Sequence, residues 1–317
     1  MGSIGRFTLS ILLCGAPILR ADATISYKSD VQLAPFLPPE MLDQFNKILK
    51  QGMSANSQTI YMKGSKAATK TGSVFSSIVD FDKQEITMLD GVNKRAATIP
   101  AAQFNENWTR KIPEIPEEAR KTFEAMKINF ESRVTGRTEI IKGVQAEERE
   151  SILSMEMPMP GGDQSMQMMK LVLHIWTAKP DEALRVQAVR ELTAYNLWTN
   201  HIMNPTQGLG KVFGAIPGLG NGMKKMFDEL GKNRTLMLRT NMKLYSTMFA
   251  AMAQHMLKDG QPLPAGYDPD APFIQVTQEV SELSMAPLDD AMFQVPAGYQ
   301  AAPMADLMQQ LTQPKMP

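Results

Sequence analysis

The chain has 317 residues, and its 33 Lys and Arg are balanced by 33 Asp and Glu, so the formal net charge at pH 7 is zero. A neutral chain has no overall electrostatic attraction to nucleic acid or to an anionic membrane. The single cysteine, Cys14, lies in an N-terminal apolar segment, so the rest of the chain has no disulfide, no thiolate metal site and no cysteine nucleophile.

Residues 1–23 have the pattern of a secretory signal peptide. Arg6 precedes an apolar run over residues 7–19, which is about half the length needed to cross a bilayer. Ala21-Asp22-Ala23 then supplies the small-x-small pattern of a cleavage site. The sequence therefore predicts an exported protein, periplasmic or secreted, that is cleaved near Ala23. An ordinary N-terminal helix and a lipoprotein signal ending at Cys14 remain alternatives.

The remaining chain alternates between strand-like and helix-like patterns. Period-two alternation of apolar and polar residues predicts strands in residues 24–33, 57–100, 128–158, 166–177, 234–249 and 272–286. Within 57–100, turn signals recur at short intervals and predict a meander of hairpins. Helical spacing predicts helices in residues 38–50, 117–127 and 180–203.

Three segments carry a resemblance to a known family. They are MKGSKAATKTGSVFSSIVDFDKQEITMLDGVNKRAATIP, the pair IIKGVQAEERE and LHIWTAK, and MAPLDDAMFQVPAGYQ. Together they resemble the LolA-like, outer-membrane lipoprotein-sorting group of bacterial envelope proteins, in particular its functionally unassigned members. The resemblance implies an α+β fold, a curved antiparallel β half-barrel with helices covering the concave face. It implies that residues 24–300 form this domain and that 301–317 form a C-terminal tail.

The glycine-rich segment 208–222, GLGKVFGAIPGLGNG, departs from that family pattern. Its apolar residues, flanked by lysines, suit a mobile lid or a loop that touches a membrane. A long loop folded over a helix end fits the segment equally well.

Catalytic patterns are scarce, so we predict that the protein is not an enzyme and uses no cofactor. The histidines His174, His201 and His255 are far apart, and none has a partner at metal-ligand spacing. In the carriers of the resembling family, acyl chains occupy the space between sheet and helices. We therefore expect this chain to bind a lipid or other apolar small molecule, with transient contact to membrane or envelope proteins and no nucleic acid. The predicted lining residues are Val79, Ile86, Met88, Met168, Leu171, Leu173 and Trp176.

Methionine is unusually frequent, with 25 residues in the chain. Thioethers are soft ligands for Cu(I), and Met155, Met157 and Met159 lie at alternate positions of a predicted strand. A periplasmic Cu(I)-binding protein is therefore one alternative. Methionine also fills irregular cores and lines adaptable cavities, which suits a plain core or an apolar ligand site. A structural or interaction protein of the cell envelope is the remaining alternative.

Overall fold

The computed structural model describes residues 22–34, 57–71, 75–104, 126–158, 165–202, 235–247 and 271–307, with isolated positions at 117, 225, 229 and 268. Nearly all of the predicted signal peptide, the predicted helix 38–50 and the glycine-rich segment 208–222 lie outside these residues. So do residues 118–125 of the predicted helix 117–127, while its last residue, Lys127, begins a strand instead.

In the described part of the chain, twelve strands form one sheet. Their bounds are β1 Ala23–Leu33, β2 Ser57–Lys63, β3 Lys66–Thr71, β4 Phe75–Asp80, β5 Glu85–Asp90, β6 Arg95–Pro100, β7 Lys127–Ile141, β8 Val144–Pro158, β9 Ser165–Ala178, β10 Met237–Ser246, β11 Ile274–Ser284 and β12 Gln300–Ala301. The spatial order is β12-β6-β5-β4-β3-β2-β1-β11-β10-β9-β8-β7. All neighbours are antiparallel except β12 and β6, which are parallel.

The sheet consists of two meanders that are joined in the middle. Strands β2 to β6 form one meander of short hairpins, and β7 to β9 form the other from strands of 14 or 15 residues. The last long strand, β11, inserts between β1 and β10 and so connects the two parts. The strands and the meander predicted from alternation are confirmed, whereas the strand order depends on pairing between segments remote in sequence.

The predicted half-barrel with helices over a concave face is wrong. The structure has one large mixed sheet that is open at both edges, with β12 and β7 as the outermost strands. Within the described ranges there are few α-helices: α1 is Glu182–Arg185, α2 is Gln187–Ile202, and residues 304–307 are also helical. The half-barrel was implied by the family resemblance, and local alternation could not correct it, because alternation predicts strands but carries no information on how remote strands order themselves.

A two-residue hairpin connects β7 and β8. Lys142 and Gly143 form its two-residue turn, and both have positive φ, 50° and 78°. Two consecutive left-handed residues define a type I′ turn, whose twist matches that of the flanking strands. The turn therefore fixes the register of these two strands up to the irregularity between Val134 and Thr138.

Helix α2 covers one face of the short-stranded half of the sheet. The main apolar cluster includes Ile25, Val79 and Ile86 of the sheet, and Val189 and Leu192 of α2 are buried in it. The ring of Tyr195 packs edge-on against Phe81 at 6.1 Å, and its hydroxyl lies 3.2 Å from the Thr69 hydroxyl. These contacts fix the helix across strands β1 to β4.

The C-terminal segment wraps around the edge of the sheet at β6. Phe293 packs with Ile78 and Leu89 on the face opposite to α2. After β12, Met304 and Leu307 enter the main apolar cluster and are 4% and 0% exposed. Both faces of the short-stranded half are thus covered by the chain itself.

Candidate functional site

A continuous row of apolar side chains crosses six neighbouring strands of the other half of the sheet. Directly paired residues of antiparallel strands point to the same face. The row, which we call the apolar ladder, consists of Leu33, Ile274, Leu244, Leu171, Leu153 and Phe130, in strand order β1, β11, β10, β9, β8 and β7. Five interstrand spacings of about 4.8 Å give it a length of about 24 Å.

The next row on the same face widens the apolar surface. Two residues along each strand, it consists of Val31, Val276, Met242 and Leu173 and ends on Ser151 and Ser132. Leu153 is 4% exposed, while the other members of the apolar ladder are half-buried. The described residues thus leave part of this apolar surface open.

The opposite face of the same strands is charged. Lys28, Glu279, Arg239, Trp176 and Glu148 lie side by side across five strands. This row therefore places four charged side chains on the face opposite to the apolar ladder.

Arg239 is the centre of the charged face. Its guanidinium donates two hydrogen bonds to Glu139, of 2.7 and 3.0 Å, and one of 2.6 Å to Glu279. It also lies over the Trp176 ring, 5.7 Å from the ring centroid. Hydrogen bonding to Glu139 and Glu279 raises the pKa of Arg239, and the bond from Arg239 lowers the pKa of Glu139. The arrangement holds β7, β10 and β11 together.

A second polar cluster surrounds the buried carboxylate of Glu148, which is 2% exposed. Arg137 approaches one of its oxygens at 2.6 Å, and Thr135 donates a hydrogen bond of 2.7 Å to the same oxygen. The other oxygen lies 3.2 Å from Nδ1 of His174, whose Nε2 lies 3.7 Å from Glu150. A buried charge needs such partners, because unpaired burial is costly.

These two clusters are ion-pair networks that link neighbouring strands. Each carboxylate within hydrogen-bond distance of Arg239 or Arg137 already accepts from a guanidinium or a hydroxyl. Among the described residues, no three His, Cys, Asp or Glu side chains converge to hold a metal ion. In the same residues, no helix has the length and apolar character to span a membrane.

The predicted ligand residues separate into three groups. Val79 and Ile86 are 3% and 0% exposed, and they belong, with the flanking Met88, to the main cluster beneath α2. Leu171 and Leu173 lie on the apolar face described above. Trp176 lies on the charged face beneath Arg239, is 9% exposed and is also a member of the main cluster.

The last predicted ligand residue, Met168, is the extra residue of a register shift. Met155 pairs with Met169, whereas the next residue of β8, Glu156, pairs with Gln167. Met157 then lies opposite Met166. Met159, the third residue of the copper alternative, lies outside the described residues.

Sequence analysis missed the other residues of the apolar ladder. Leu33, Leu244 and Ile274 come from strands that alternation had predicted, but no local signal shows that these strands become neighbours. A count of apolar residues per strand face would have found the amphipathic character of each strand. Such a count would not have shown that the apolar residues of different strands align into one row.

Comparisons with known proteins do not assign the chain to a family. No family model matches the chain, and no curated protein matches it. The solved structure described as "Structure of PNGF-II in C2 space group" is similar over 92% of this chain, at 8% identity and a TM-score of 0.31. The chain spans 33% of the length of that structure. A likeness at this level carries no argument, so the LolA-like resemblance stays a prediction from its motifs.

Proposed function

We propose that the protein is an exported, non-enzymatic binding protein that shelters an acyl chain or similar apolar ligand along the apolar ladder. The observation that supports the proposal is the unbroken row from Leu33 to Phe130 across six strands. Soluble proteins seldom leave large contiguous apolar surfaces open unless these surfaces bind something.

The dimensions of the row suit a long acyl chain. The hydrocarbon of one bilayer leaflet is about 15 Å thick, half of the bilayer core of about 30 Å. The apolar ladder, at about 24 Å, accommodates such a chain in extended form.

The energetics favour a long ligand over a short one. Each buried methylene contributes about 0.8 kcal/mol, whereas association costs at least about 4 kcal/mol in lost freedom of motion. A chain of about five methylenes only offsets that cost, so useful affinity requires about ten or more. The ligand class that we propose is therefore a long-chain lipid, delivered or received by transient contact with a membrane or an envelope protein.

The proposal is tested by extraction and by binding. The purified protein is examined by native mass spectrometry, and solvent extracts are analysed for lipid. A fluorescent long-chain fatty acid is then titrated into the delipidated protein. We expect saturable binding that weakens at least tenfold, or about 1.4 kcal/mol, in the variant Leu171→Gln.

A matched control separates binding from folding. Leu184→Gln introduces the same change at a residue of α1 that is 87% exposed and outside the ladder, and it should leave the affinity unchanged. The variant Leu244→Met keeps the ladder apolar and should retain binding. It provides a second measurement if Leu171→Gln proves unstable. Absence of bound lipid together with no titratable affinity would overturn the proposal and favour a structural or interaction role.

A further inference from the structure

Four methionines share one face at the end of the β8–β9 hairpin. Met155 lies directly opposite Met169, and Met157 lies directly opposite Met166. Residues two apart on β8 point to the same face, and each opposed residue on β9 points there too. The four thioethers therefore form a compact set on the apolar side of the sheet.

The register shift in β9 creates this set. Met166 and Met169 are three residues apart, and simple alternation would place them on opposite faces. The extra residue Met168, between the pairs Met155–Met169 and Glu156–Gln167, restores Met166 to the face of Met169. Bulges of this kind redirect side chains and recur beside functional sites.

The burial of the four side chains suits a binding site that is buried on one side and exposed to solvent on the other. Met155 is 8% exposed, Met157 and Met169 are half-buried, and Met166 is 41% exposed. Directly opposed Cβ atoms are about 5 Å apart, and each methionine has three rotatable side-chain bonds. The sulfur atoms can therefore converge on one ion while the backbone stays in place.

The chemistry of the set selects a soft ion. The intervening carboxylate, Glu156, points to the opposite face, where it accepts hydrogen bonds from Asn129 at 3.2 Å and Ser165 at 2.8 Å. The donor set thus consists of neutral thioether sulfur, which disfavours Mg²⁺ and Ca²⁺ and suits Cu(I).

We propose that Met155, Met157, Met166 and Met169 form a binding site for a soft monovalent cation, Cu(I). The ordinary role of methionine as core filler accounts for Met155, but it does not account for the partly open Met157–Met166 pair. This proposal is independent of acyl-chain binding, because it involves none of the six residues of the apolar ladder.

The test uses Ag(I), a soft monovalent ion that resists oxidation, and then Cu(I) under anaerobic conditions. Excess free methionine is present as a competitor, so that the other methionines of the chain do not retain metal. We expect one ion per protein, and perturbation of the methyl signals of these four residues in spectra of methyl-labelled protein.

The decisive variant is the double substitution Met157→Leu and Met166→Leu, which conserves volume and should fold. Loss of two of the four thioethers should weaken Ag(I) binding at least tenfold, or about 1.4 kcal/mol. The control, Met88→Leu with Met242→Leu, alters two half-buried methionines outside the set and should leave affinity unchanged. No retained ion, or equal affinity in the double variant and the wild type, would overturn the proposal.

Discussion

Arg239 on β10 and Glu139 on β7 are joined by two hydrogen bonds, although two strands lie between them. Three interstrand spacings amount to about 14 Å in a flat sheet. The guanidinium of Arg239 lies over the Trp176 ring on β9, and the residues beside Glu139 on the intervening strands are small. Ala146 lies directly opposite Glu139, and Ala178 lies opposite Ala146. The contact between Arg239 and Glu139 therefore depends on how strands β7 to β10 are arranged.

The first prediction concerns the pH dependence of this contact. The hydrogen bond from Arg239 lowers the pKa of Glu139 below its ordinary value of 4.5. A lowered carboxyl pKa contributes stability that is present above the unfolded-state pKa and is lost as pH falls through the folded-state pKa. Glu139→Gln should therefore reduce the free energy of unfolding at neutral pH by about 1 kcal/mol, since the pair is partly exposed. The difference should vanish in strong acid, as measured by urea unfolding across the pH range.

The control for this prediction is Glu131→Gln, at an exposed position of the same strand. It should give a much smaller change at neutral pH. A pH-independent difference between Glu139→Gln and the wild type would show that the ion pair is not the cause.

The second prediction concerns the guanidinium group itself. Arg239→Lys keeps the charge but loses the planar group that binds Glu139 with two bonds and Glu279 with a third while covering Trp176. We expect a loss of about 1 to 2 kcal/mol in the free energy of unfolding and a change in Trp176 fluorescence. Unchanged stability and fluorescence would argue against the stacked geometry.

The third prediction concerns the core at the junction of the two halves. Leu238 is 0% exposed, lies at the register shift between Met237 and Arg239, and belongs to the main cluster with Val280 and Tyr27. Leu238→Ala should lower the free energy of unfolding by about 2 to 5 kcal/mol through lost contacts and a cavity. The matched change Leu184→Ala, at an exposed site on α1, should cost less than about 0.5 kcal/mol in denaturant unfolding.

The fourth prediction concerns the turn between β7 and β8. Lys142 has φ of 50°, a conformation that asparagine adopts more readily than lysine. Lys142→Asn should raise the midpoint of thermal unfolding, with a gain of about 0.5 kcal/mol. Gly143→Ala, at φ of 78°, should instead destabilise by about 1 kcal/mol. Equal effects of the two substitutions would contradict the type I′ geometry.

Several elements could be predicted from local sequence because their cause is local. Alternation predicted β1 and the meander of β2 to β6, and the Asp90-Gly91 signal lies at the turn before β6. The helix predicted in 180–203 is interrupted at Val186, whose extended backbone separates α1 from α2. Sequence analysis did not reveal this break, because no glycine or proline between Pro180 and Pro205 marks it.

The candidate site was accessible to sequence analysis only in part. Leu171 and Leu173 were expected on one face of a strand, and the structure places them there. Trp176 was expected with them, yet an odd spacing from both residues puts it on the charged face under Arg239. Both faces of this strand contain buried apolar residues, so hydrophobicity alone does not show on which face Trp176 lies.

The sequence by itself determined which segments are extended and where most of them turn, since a period of two and the preferences of turn residues act over a few neighbours. Only the tertiary structure decided which strands became neighbours, and so brought Leu33 beside Ile274 in the apolar ladder. It also decided that Met166 would face the same side as Met169, through one extra residue in β9. The strand order and register are those that bury whole apolar faces of the sheet. The free energy of this burial is a sum over residues far apart in the chain, so local sequence does not determine it.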